Sequence, residues 1–426
     1  MTITKQICYW LLVLILATQS ILAQPTFSNQ YSVEMDFISL LEKSKDGGYY
    51  FAGYEAYDVV IGKIDSLGNA AWTKIIGQES TRDFPVGITE LENGNLVLGF
   101  YSDYGGFTNY GIKTNFICFN SNGDVIYQKN FVAESDTVTS NYILSSLIKD
   151  DYGFTAVIKT DSYHNSIIKV DSLGNIIKSI NIELGSGSVI FKTSSNKYLI
   201  SNAFSFIITT LNSNFQFVSA IEHSFNDTPS STNFLELNNG DIITYGNGSF
   251  NSAYFHKFNA QMQFISSQFL PSLTNLSGHQ INNNSILFFG MPLEDPLQNN
   301  PPFLLRVDLS GLVQEFKKIP IYAQALNHLP VKTCYHHNVF AFTHNSVKTE
   351  LSQRNPFFVN AINPLQIELC DMYDDTMPTF PLQIELQGIY SHFLNNYITN
   401  DILIDDTLNI VDLPISWSTC DDTLFA

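Results

Sequence analysis

Three aspartates occupy the same place in a recurring segment of the chain and are the first candidates for chemistry. Asp65, Asp171 and Asp308 each close an apolar run, and a glycine follows three residues later. Carboxylates at such places could act as general acid and base or bind calcium. An aspartate that ends a strand, however, readily accepts hydrogen bonds from the backbone of the turn that follows. We therefore predict that these aspartates cap turns.

Cys334, His336 and His337 have the side chains of a transition-metal site. Adjacent residues of a hairpin point apart, however, and no second pair of cysteines or histidines stands at ligand spacing to complete four ligands. The two histidines also fill a position that is a polar turn elsewhere in the chain. We predict a turn here, and we predict neither a metal nor another cofactor.

The segment from Ser102 to Asn115, SDYGGFTNYGIKTN, has three aromatic residues among its glycines. Tyr104, Phe107 and Tyr110 on a long loop are suited to stacking against a sugar ring or to docking a partner. The alternative is that the three rings cover a neighbouring part of the fold. We take Tyr104, Phe107 and Tyr110 as the candidate ligand-binding residues.

The cysteines beyond the N-terminal leader number four, which allows three disulfide pairings. Cys370 and Cys420 both lie near the end of the chain, so a bridge between them is the preferred pairing. Cys118 lies in an apolar strand pattern and is predicted to be a small buried hydrophobic residue. Cys334 is the fourth.

The elements that must position these residues repeat along the chain. A polar turn before a short apolar run occurs seven times, as in Asp46-Gly47-Gly48 before YYFAG and Asn93-Gly94-Asn95 before LVLG. Such Asp-Gly and Asn-Gly pairs favour type I′ hairpin turns, in which both central residues have positive φ. An aspartate or asparagine that closes the next apolar run also occurs seven times, at Asp65, Asn120, Asp171, Asn212, Asn259, Asp308 and Asn363. The mean spacing of this second landmark is about 50 residues.

Each unit of this length contains strand, turn, strand, loop, strand, turn and strand. Four short antiparallel strands about every 50 residues are typical of one propeller blade. A pair of β-sandwiches is the competing all-β fold, but sandwiches do not require so regular a period. The sequence therefore predicts an all-β protein, a seven-bladed β-propeller of four-stranded antiparallel blades over residues 30–371.

The repeat pattern resembles the DGG…KxDxxGNxxW propeller repeats of secreted proteins from Bacteroidetes-type bacteria. The resemblance is strongest in the first unit, in Asp46-Gly47-Gly48, Lys63 to Asn69 and Trp72, and extends over about Phe37 to Cys370. The tryptophan is replaced by Tyr127, Lys178 and Ser219 in the next three units. The resemblance implies an exported propeller. Such proteins often end in a sorting domain, of which the sequence has no convincing motif.

Composition and charge exclude some functions. Charged residues make up 14% of the chain and the net charge is -19, so the protein should repel phosphate backbones and anionic lipid. Residues 1–23 have the pattern of a signal peptide: Lys5, an apolar core from Tyr9 to Ala17, and a small residue at the end of Ile21-Leu22-Ala23. A signal anchor is the alternative. We expect a secreted or cell-surface monomer, or a periplasmic one, with no nucleic-acid partner and no membrane span after cleavage.

The C-terminal residues 372–426 do not fit an eighth unit. They contain short apolar runs that could add strands to the ring or begin a second β domain. The acidic groups in and just before this segment could bind calcium, but they do not have the spacing of an EF-hand and solvation explains them more simply: Asp371, Asp374, Asp375, Asp401, Asp405 and Asp406.

Two functions follow from these patterns. The first is a non-catalytic interaction module that binds a protein or a glycan. The alternative is a hydrolase or lyase acting on polysaccharide, with carboxylates at the central channel of the ring.

Overall fold

The structure is a computed structural model, and within it 20 stretches of chain are described. These are residues 27–31, 37–77, 81–103, 111–132, 141–160, 164–183, 188–201, 207–222, 232–247, 252–271, 273–292, 303–318, 333–336, 339–345, 357–362, 373–374, 380–381, 402–405, 409–412 and 417–419. They consist of β-strands and their connections. In these stretches no helix has the length and apolarity to cross a bilayer.

The described strands form seven sheets, and six of these contain four strands that follow one another in sequence. Strand β1 (Phe27–Tyr31) precedes them. The first blade contains β2 (Phe37–Lys43), β3 (Tyr49–Glu55), β4 (Asp58–Ile64) and β5 (Ala70–Gly77). The second contains β6 (Arg82–Glu90), β7 (Leu96–Asp103), β8 (Lys113–Phe119) and β9 (Val125–Val132), and the third β10 (Ile143–Asp150), β11 (Gly153–Lys159), β12 (His164–Asp171) and β13 (Ile176–Glu183).

The next three blades follow the same antiparallel order. The fourth contains β14 (Val189–Lys192), β15 (Tyr198–Ser201), β16 (Ile207–Leu211) and β17 (Phe217–Glu222). The fifth contains β18 (Asn233–Glu236), β19 (Ile242–Asn247), β20 (Ser252–Phe258) and β21 (Phe264–Pro271). The sixth contains β22 (Leu273–Asn282), β23 (Ser285–Pro292), β24 (Phe303–Asp308) and β25 (Val313–Lys318).

The prediction of seven four-stranded blades is wrong in its count, because the last repeat unit does not supply four consecutive strands. That unit supplies three strands, β26 (Thr333–His336), β27 (Val339–Asn345) and β28 (Phe357–Ile362), and the fourth strand of this composite sheet is β1. Strand β1 pairs antiparallel with β28, with Phe27 opposite Ala361 and Tyr31 opposite Phe357. The described residues thus contain six blades of four consecutive strands, and the N-terminal strand β1 pairs with the last repeat unit in a separate sheet, where it covers an edge that would otherwise be unpaired.

The first strand of each sheet lies near the axis of the ring. Strand β2 contacts both β6 and β26, β10 contacts β6 and β14, and β22 contacts β18 and β26. The fourth and fifth blades are joined by an apolar cluster that includes Leu199, Ile208 and Phe234. We call the side of the ring that carries the tight turns Ser44–Gly48 and Asp65–Asn69 the turn face. The opposite side, with the connections between the second and third strands of each blade, is the loop face.

The prediction of turn-capping aspartates is confirmed. Asp65 Oδ1 accepts hydrogen bonds from the backbone N–H groups of Leu67 and Asn69, at 2.9 and 2.8 Å. The same pair of bonds is made by the capping side chains at Asn120, Asp171, Asn212, Asn259 and Asp308. These bonds satisfy turn N–H groups that would otherwise need water.

The expected type I′ geometry of the hairpin turns is wrong. In the turn Ser44–Gly47 the N–H of Gly47 bonds the carbonyl of Ser44, and the positive φ of 94° falls on Gly47. The two central residues do not have positive φ, so the turn is a type I turn followed by a left-handed residue. Where the repeat lacks glycine at the second turn, Phe215 and Met262 adopt φ of 56° and 62° themselves.

The core lies between neighbouring blades. One cluster joins the first two blades through residues such as Tyr50, Ile61, Phe100 and Phe119, and Trp72 packs against it. Cys118 is a buried free thiol, as predicted, and burial raises its pKa to about 11.

The C-terminal residues contribute a belt of short strands around the rim, which we call the C-terminal belt. Its members are β29 (Tyr373–Asp374), β30 (Phe380–Pro381), β31 (Ile402–Asp405), β32 (Asn409–Asp412) and β33 (Trp417–Thr419). They pair antiparallel with the outermost strands β25, β21, β9, β5 and β1 respectively. The described belt strands therefore pair with the sixth, fifth, second and first blades in that order and then with β1, and they cover exposed sheet edges.

Residues of opposite charge are paired where strands of the C-terminal belt meet the blades. Asp374, Asp405 and Asp412 are directly opposite Lys317, Lys129 and Lys74. Lys74 and Lys129 have the same place in their blades, two residues after Trp72 and Tyr127. Opposite charges directly across antiparallel strands favour the pairing.

Reversing one of these charges should loosen the belt. We expect Lys129→Glu to lower the free energy of unfolding by about 0.5–1 kcal/mol, because it places two carboxylates opposite each other. Adding Asp405→Lys should recover most of the loss, as measured by urea denaturation. Additive losses in the double variant would contradict the pairing.

Candidate functional site

Cys334 and His336 lie in β26, and Asp65, Asp171 and Asp308 cap turns as described above. The other sequence-predicted site residues lie outside the part of the chain that the structure describes. This applies to Tyr104, Phe107 and Tyr110, to Cys370 and Cys420, to His337, and to the leader at residues 1–23. The aromatic loop leaves the ring at Asp103, the last residue of β7, which is opposite Arg82 of β6. That point is on the loop face.

Beside it, four aromatic side chains of the first two blades form a continuous group, which we call the aromatic cluster. Tyr54 and Phe84 are stacked with ring centroids 5.4 Å apart, and Phe84 and Tyr101 with centroids 5.0 Å apart. Tyr57 meets Tyr54 edge-on at 6.4 Å. Tyr57 is 49% exposed and the other three rings are half-buried. Burial is the main cause that raises the pKa of Tyr101, and Asp103 adds to it.

The outer end of the cluster has an unusual backbone. Ala56 and Tyr57 form the two-residue turn between β3 and β4, with φ of 45° and 94°. A positive φ at a bulky residue is strained and costs of the order of 1–3 kcal/mol. The turn is held in place because the N–H of Asp83 donates to the carbonyl of Tyr57 at 2.7 Å. The Arg82 guanidinium lies over the Tyr57 ring, 4.9 Å from its centroid.

This arrangement limits how the cluster can bind. Phe84 stacks with both Tyr54 and Tyr101, so its ring is engaged within the cluster. The most exposed ring of the cluster is that of Tyr57, with Arg82 against it. Tyrosine and arginine in a fixed geometry are typical of the residues that dominate protein interfaces.

A second group of titratable residues lies at the inner strands near the turn face. Burial, with a smaller contribution from the Glu90 carboxylate, raises the pKa of Glu42 to about 7, and Lys149 opposes that rise. Glu90 itself is bound, since Oε2 accepts from the N–H of Lys45 at 2.6 Å. A carboxylic acid that is half-protonated near neutral pH beside a second carboxyl group has the composition of an acid–base pair.

The position of Glu90 also has a structural role that recurs around the ring. In the fifth blade Glu236 accepts from Ser194 of the fourth blade, at 2.6 Å from the backbone N–H and 2.7 Å from the hydroxyl. In the fourth blade Lys192 binds Asp150 and Asp151 of the third, at 2.8 and 2.6 Å. The last residues of the inner strands thus fasten each of these blades to the one before it.

A histidine–serine pair is present that sequence reasoning did not identify. His256 Nδ1 and Ser267 Oγ are 2.7 Å apart on neighbouring strands of the fifth blade. Both residues are buried, and Tyr254 stacks on the imidazole with centroids 4.7 Å apart. Because a substrate has no access to it, we assign this pair to the core. Over the described ranges, no group of three or more histidine, cysteine or acidic residues is placed to hold a metal ion.

The sheets define a β-propeller repeat protein. No family model and no curated protein sequence matches the chain. Among solved structures it is similar to virginiamycin B lyase from Staphylococcus aureus, with 11% identity over 78% of this chain and 99% of that chain and a TM-score of 0.49. It is also similar to YCF48 from Cyanidioschyzon merolae, with 9% identity, 78% and 98% coverage and a TM-score of 0.47. A protein of unknown function from Bacteroides caccae shows 14% identity, 63% and 92% coverage and a TM-score of 0.39. Similarities this low carry no argument about function.

Proposed function

We propose that this protein is an exported, non-catalytic β-propeller that binds a partner on its loop face. The observation that supports this most is Tyr57, an exposed aromatic residue in a strained turn, held by Arg82 and continuous with three further rings. Strained backbone persists where the surroundings enforce it, and it is concentrated at functional sites. The leader at residues 1–23 supports export, and the binding surface extends to the loop with Tyr104, Phe107 and Tyr110.

A protein is the favoured partner, with a glycan as the second ligand class. Sugar rings stack on accessible aromatic faces, whereas Phe84 already stacks with Tyr54 and Tyr101. The fixed Tyr57–Arg82 pair is preorganised, so little side-chain entropy is lost on binding.

The ring serves as a rigid support for this surface. We infer that the composite sheet of β26–β28 and β1 acts as a seventh blade and that the repeats belong to the DGG…KxDxxGNxxW type. In the first blade Lys63 Nζ lies 2.5 Å from Asp46 Oδ2, so two residues of that repeat pattern form an ion pair inside one blade. This supports a packing role for the repeat residues. Binding would then be a role of the loops.

Replacing Tyr57 by glycine should separate binding from stability. Glycine adopts positive φ without strain, which offsets the lost contact with Arg82, so we expect the free energy of unfolding to change by less than about 1 kcal/mol. Affinity for a partner retained on the wild-type protein, or for a glycan retained from an array, should fall at least about tenfold. Isothermal titration calorimetry measures the affinity for a protein partner and for a glycan alike.

Tyr152→Ala is the matched control, because Tyr152 is 70% exposed but lies in the β10–β11 turn on the opposite face. It should leave affinity unchanged. Equal losses in the two variants, or full affinity in Tyr57→Gly, would show that the aromatic cluster is not the binding surface.

The second candidate function is a polysaccharide hydrolase or lyase, and Glu42 is the specific observation that favours it. A carboxyl group with its pKa raised to about 7 can act as a general acid at neutral pH, with Glu90 as the neighbouring carboxyl group. Turnover of a polysaccharide by the wild-type protein and its loss in Glu42→Gln, with Tyr57→Gly still active, would replace the binding proposal with this one.

A further inference from the structure

A cleft of about 260 Å³ opens on the turn face between the fourth and fifth blades. It lies on the opposite side of the ring from the aromatic cluster. Its lining combines the hydroxyl groups of Ser195, Thr210 and Ser219 with the apolar side chains of Leu199 and Met262. A cleft of this size is suited to a group smaller than a drug-sized ligand.

The cleft exists because the repeat has lost its large side chains at this place. Strand register equates Trp72 with Ser219, since Trp72 is opposite Lys63 and Ser219 is opposite Thr210 in the corresponding strands. The lysine that fills the space beside the tryptophan in the first blade is therefore a threonine here. Both changes remove volume from the same gap between blades.

The first blade shows what this gap accepts when it is filled. The Trp72 indole bridges to the second blade, where Nε1 donates to the carbonyl of Ser121 at 3.2 Å. The ring lies so close to Gly123 that a Cβ there would come within 2.8 Å of Cδ2. Tyr50 forms the inner wall, with ring centroids 6.2 Å apart.

The counterparts of those three wall residues line the cleft: Leu199, Ala260 and Met262. The same three walls thus surround an indole in one gap and a cleft in the other. One polar group in the cleft also lacks a partner. Thr210 is 3% exposed, and its hydroxyl has no hydrogen-bond partner among the described residues. Leaving a buried hydroxyl unpaired is costly, which favours a ligand with a polar group.

We propose that this cleft is a socket for an aromatic side chain with a hydrogen-bond donor, tryptophan in the first place, presented by a partner protein. The Ala260 carbonyl stands where the Ser121 carbonyl accepts from Trp72, and the Thr210 hydroxyl is available to a second polar group. Met262 supplies an adaptable wall and a sulfur that contacts aromatic rings favourably. The proposal is independent of the loop-face surface.

The test uses N-acetyl-L-tryptophanamide as the probe and the full chain as the receptor. We expect binding with a dissociation constant on the order of 1 mM, as for a single anchoring side chain, measured by ligand-observed NMR. Ser219→Trp restores the indole of the repeat and should weaken probe binding at least tenfold. Thr210→Lys restores the lysine of the repeat, and its side chain should also weaken probe binding because it occupies the cleft.

Ser266→Trp is the matched control. Ser266 is opposite Lys257 in the fifth blade, the place that corresponds to Ser219, but it faces the next gap. This variant should bind the probe as the wild type does. No binding of the probe by the wild type, or undiminished binding by Ser219→Trp and Thr210→Lys, would overturn the proposal. So would displacement of the probe by N-acetylglucosamine bound more tightly in the cleft, which would assign the cleft to a sugar.

Discussion

Replacing Asp150 by alanine should lower the free energy of unfolding by about 3–5 kcal/mol, the largest effect we expect from any single substitution. The Asp150 side chain is completely buried between the third and fourth blades, with Lys169 Nζ at 3.0 Å and Lys192 Nζ at 2.8 Å. Thr155 and Tyr198 donate their hydroxyls to Oδ2 at 2.6 and 2.5 Å. Removing the carboxylate leaves two largely buried ammonium groups without this partner. Urea denaturation at neutral pH measures the loss.

The pKa of Asp150 fixes the pH range of this contribution. Burial by itself raises the pKa, but the hydrogen bonds from Lys192, Thr155 and Tyr198 outweigh it and hold the pKa well below its usual range. A lowered folded-state pKa gives stability that is present above the pKa of the unfolded chain and is lost as pH falls below it. The difference in the free energy of unfolding between wild type and Asp150→Ala should therefore become smaller only in acid, below about pH 4.

Asp151→Ala is the control for Asp150. Asp151 also binds Lys192, at 2.6 Å, but its side chain is 58% exposed. Because solvent screens such a pair, the variant should lose less than about 1 kcal/mol. Similar losses in the two variants would contradict the account of Asp150 as a buried ionic centre.

Replacing Glu42 by glutamine should remove a pH-dependent cost of folding. The pKa of Glu42 rises from 4.5 to about 7 on folding, so between these values the unfolded chain releases a proton that the folded protein retains. Stability due to this group is full below pH 4.5 and is lost as pH rises through 7. Relative to wild type, Glu42→Gln should gain about 2–3 kcal/mol between pH 4 and pH 8, since Glu42 is partly exposed and its cost is reduced by solvent.

The variant Glu92→Gln tests the direction in which these carboxyl groups make the free energy of unfolding depend on pH. Hydrogen bonds from Lys149 and then Lys45 lower the pKa of Glu92 to about 2, so its contribution is lost as pH falls below 4.5. The two variants should change the pH profile in opposite directions. A Glu42→Gln profile parallel to that of the wild type would show that the Glu42 pKa is not raised.

The repeating architecture could be predicted from sequence because it depends on local chemistry. Asp65 and its counterparts are turn-capping residues, and that role needs no information beyond the next four residues. Cys118 could be placed in the core for the same reason, since it lies within an apolar run. The turn type was wrong because the decisive residue of Ser44–Gly47 is the last one, Gly47, which alone in the turn has positive φ.

Other features depend on residues far apart in the chain. Strand β1 carries neither repeat landmark, so its place beside β28 follows from closure of the ring. The aromatic cluster combines Tyr54 with Phe84 and Tyr101 of another blade. The two tyrosines of the segment GYEAYD could indicate an aromatic surface. The contact of Tyr57 with Arg82, however, requires the packing of two blades. The cleft beside Ser219 exists because a large side chain is missing there. This becomes evident only when the strand register places Ser219 at the position of Trp72.

Hydrogen-exchange mass spectrometry, with and without a partner that the wild-type protein retains, tests directly whether the loop face is the binding surface. We expect slower exchange on the loop face, at Glu55–Asp58 and at the start of β6 around Arg82, because the partner covers the Tyr57 turn. We expect no change at the inner-strand residues Glu42 and Glu90. Protection confined to Glu42 and Glu90, with the Tyr57 turn unaffected, would contradict a loop-face binding surface and place the ligand at the central channel.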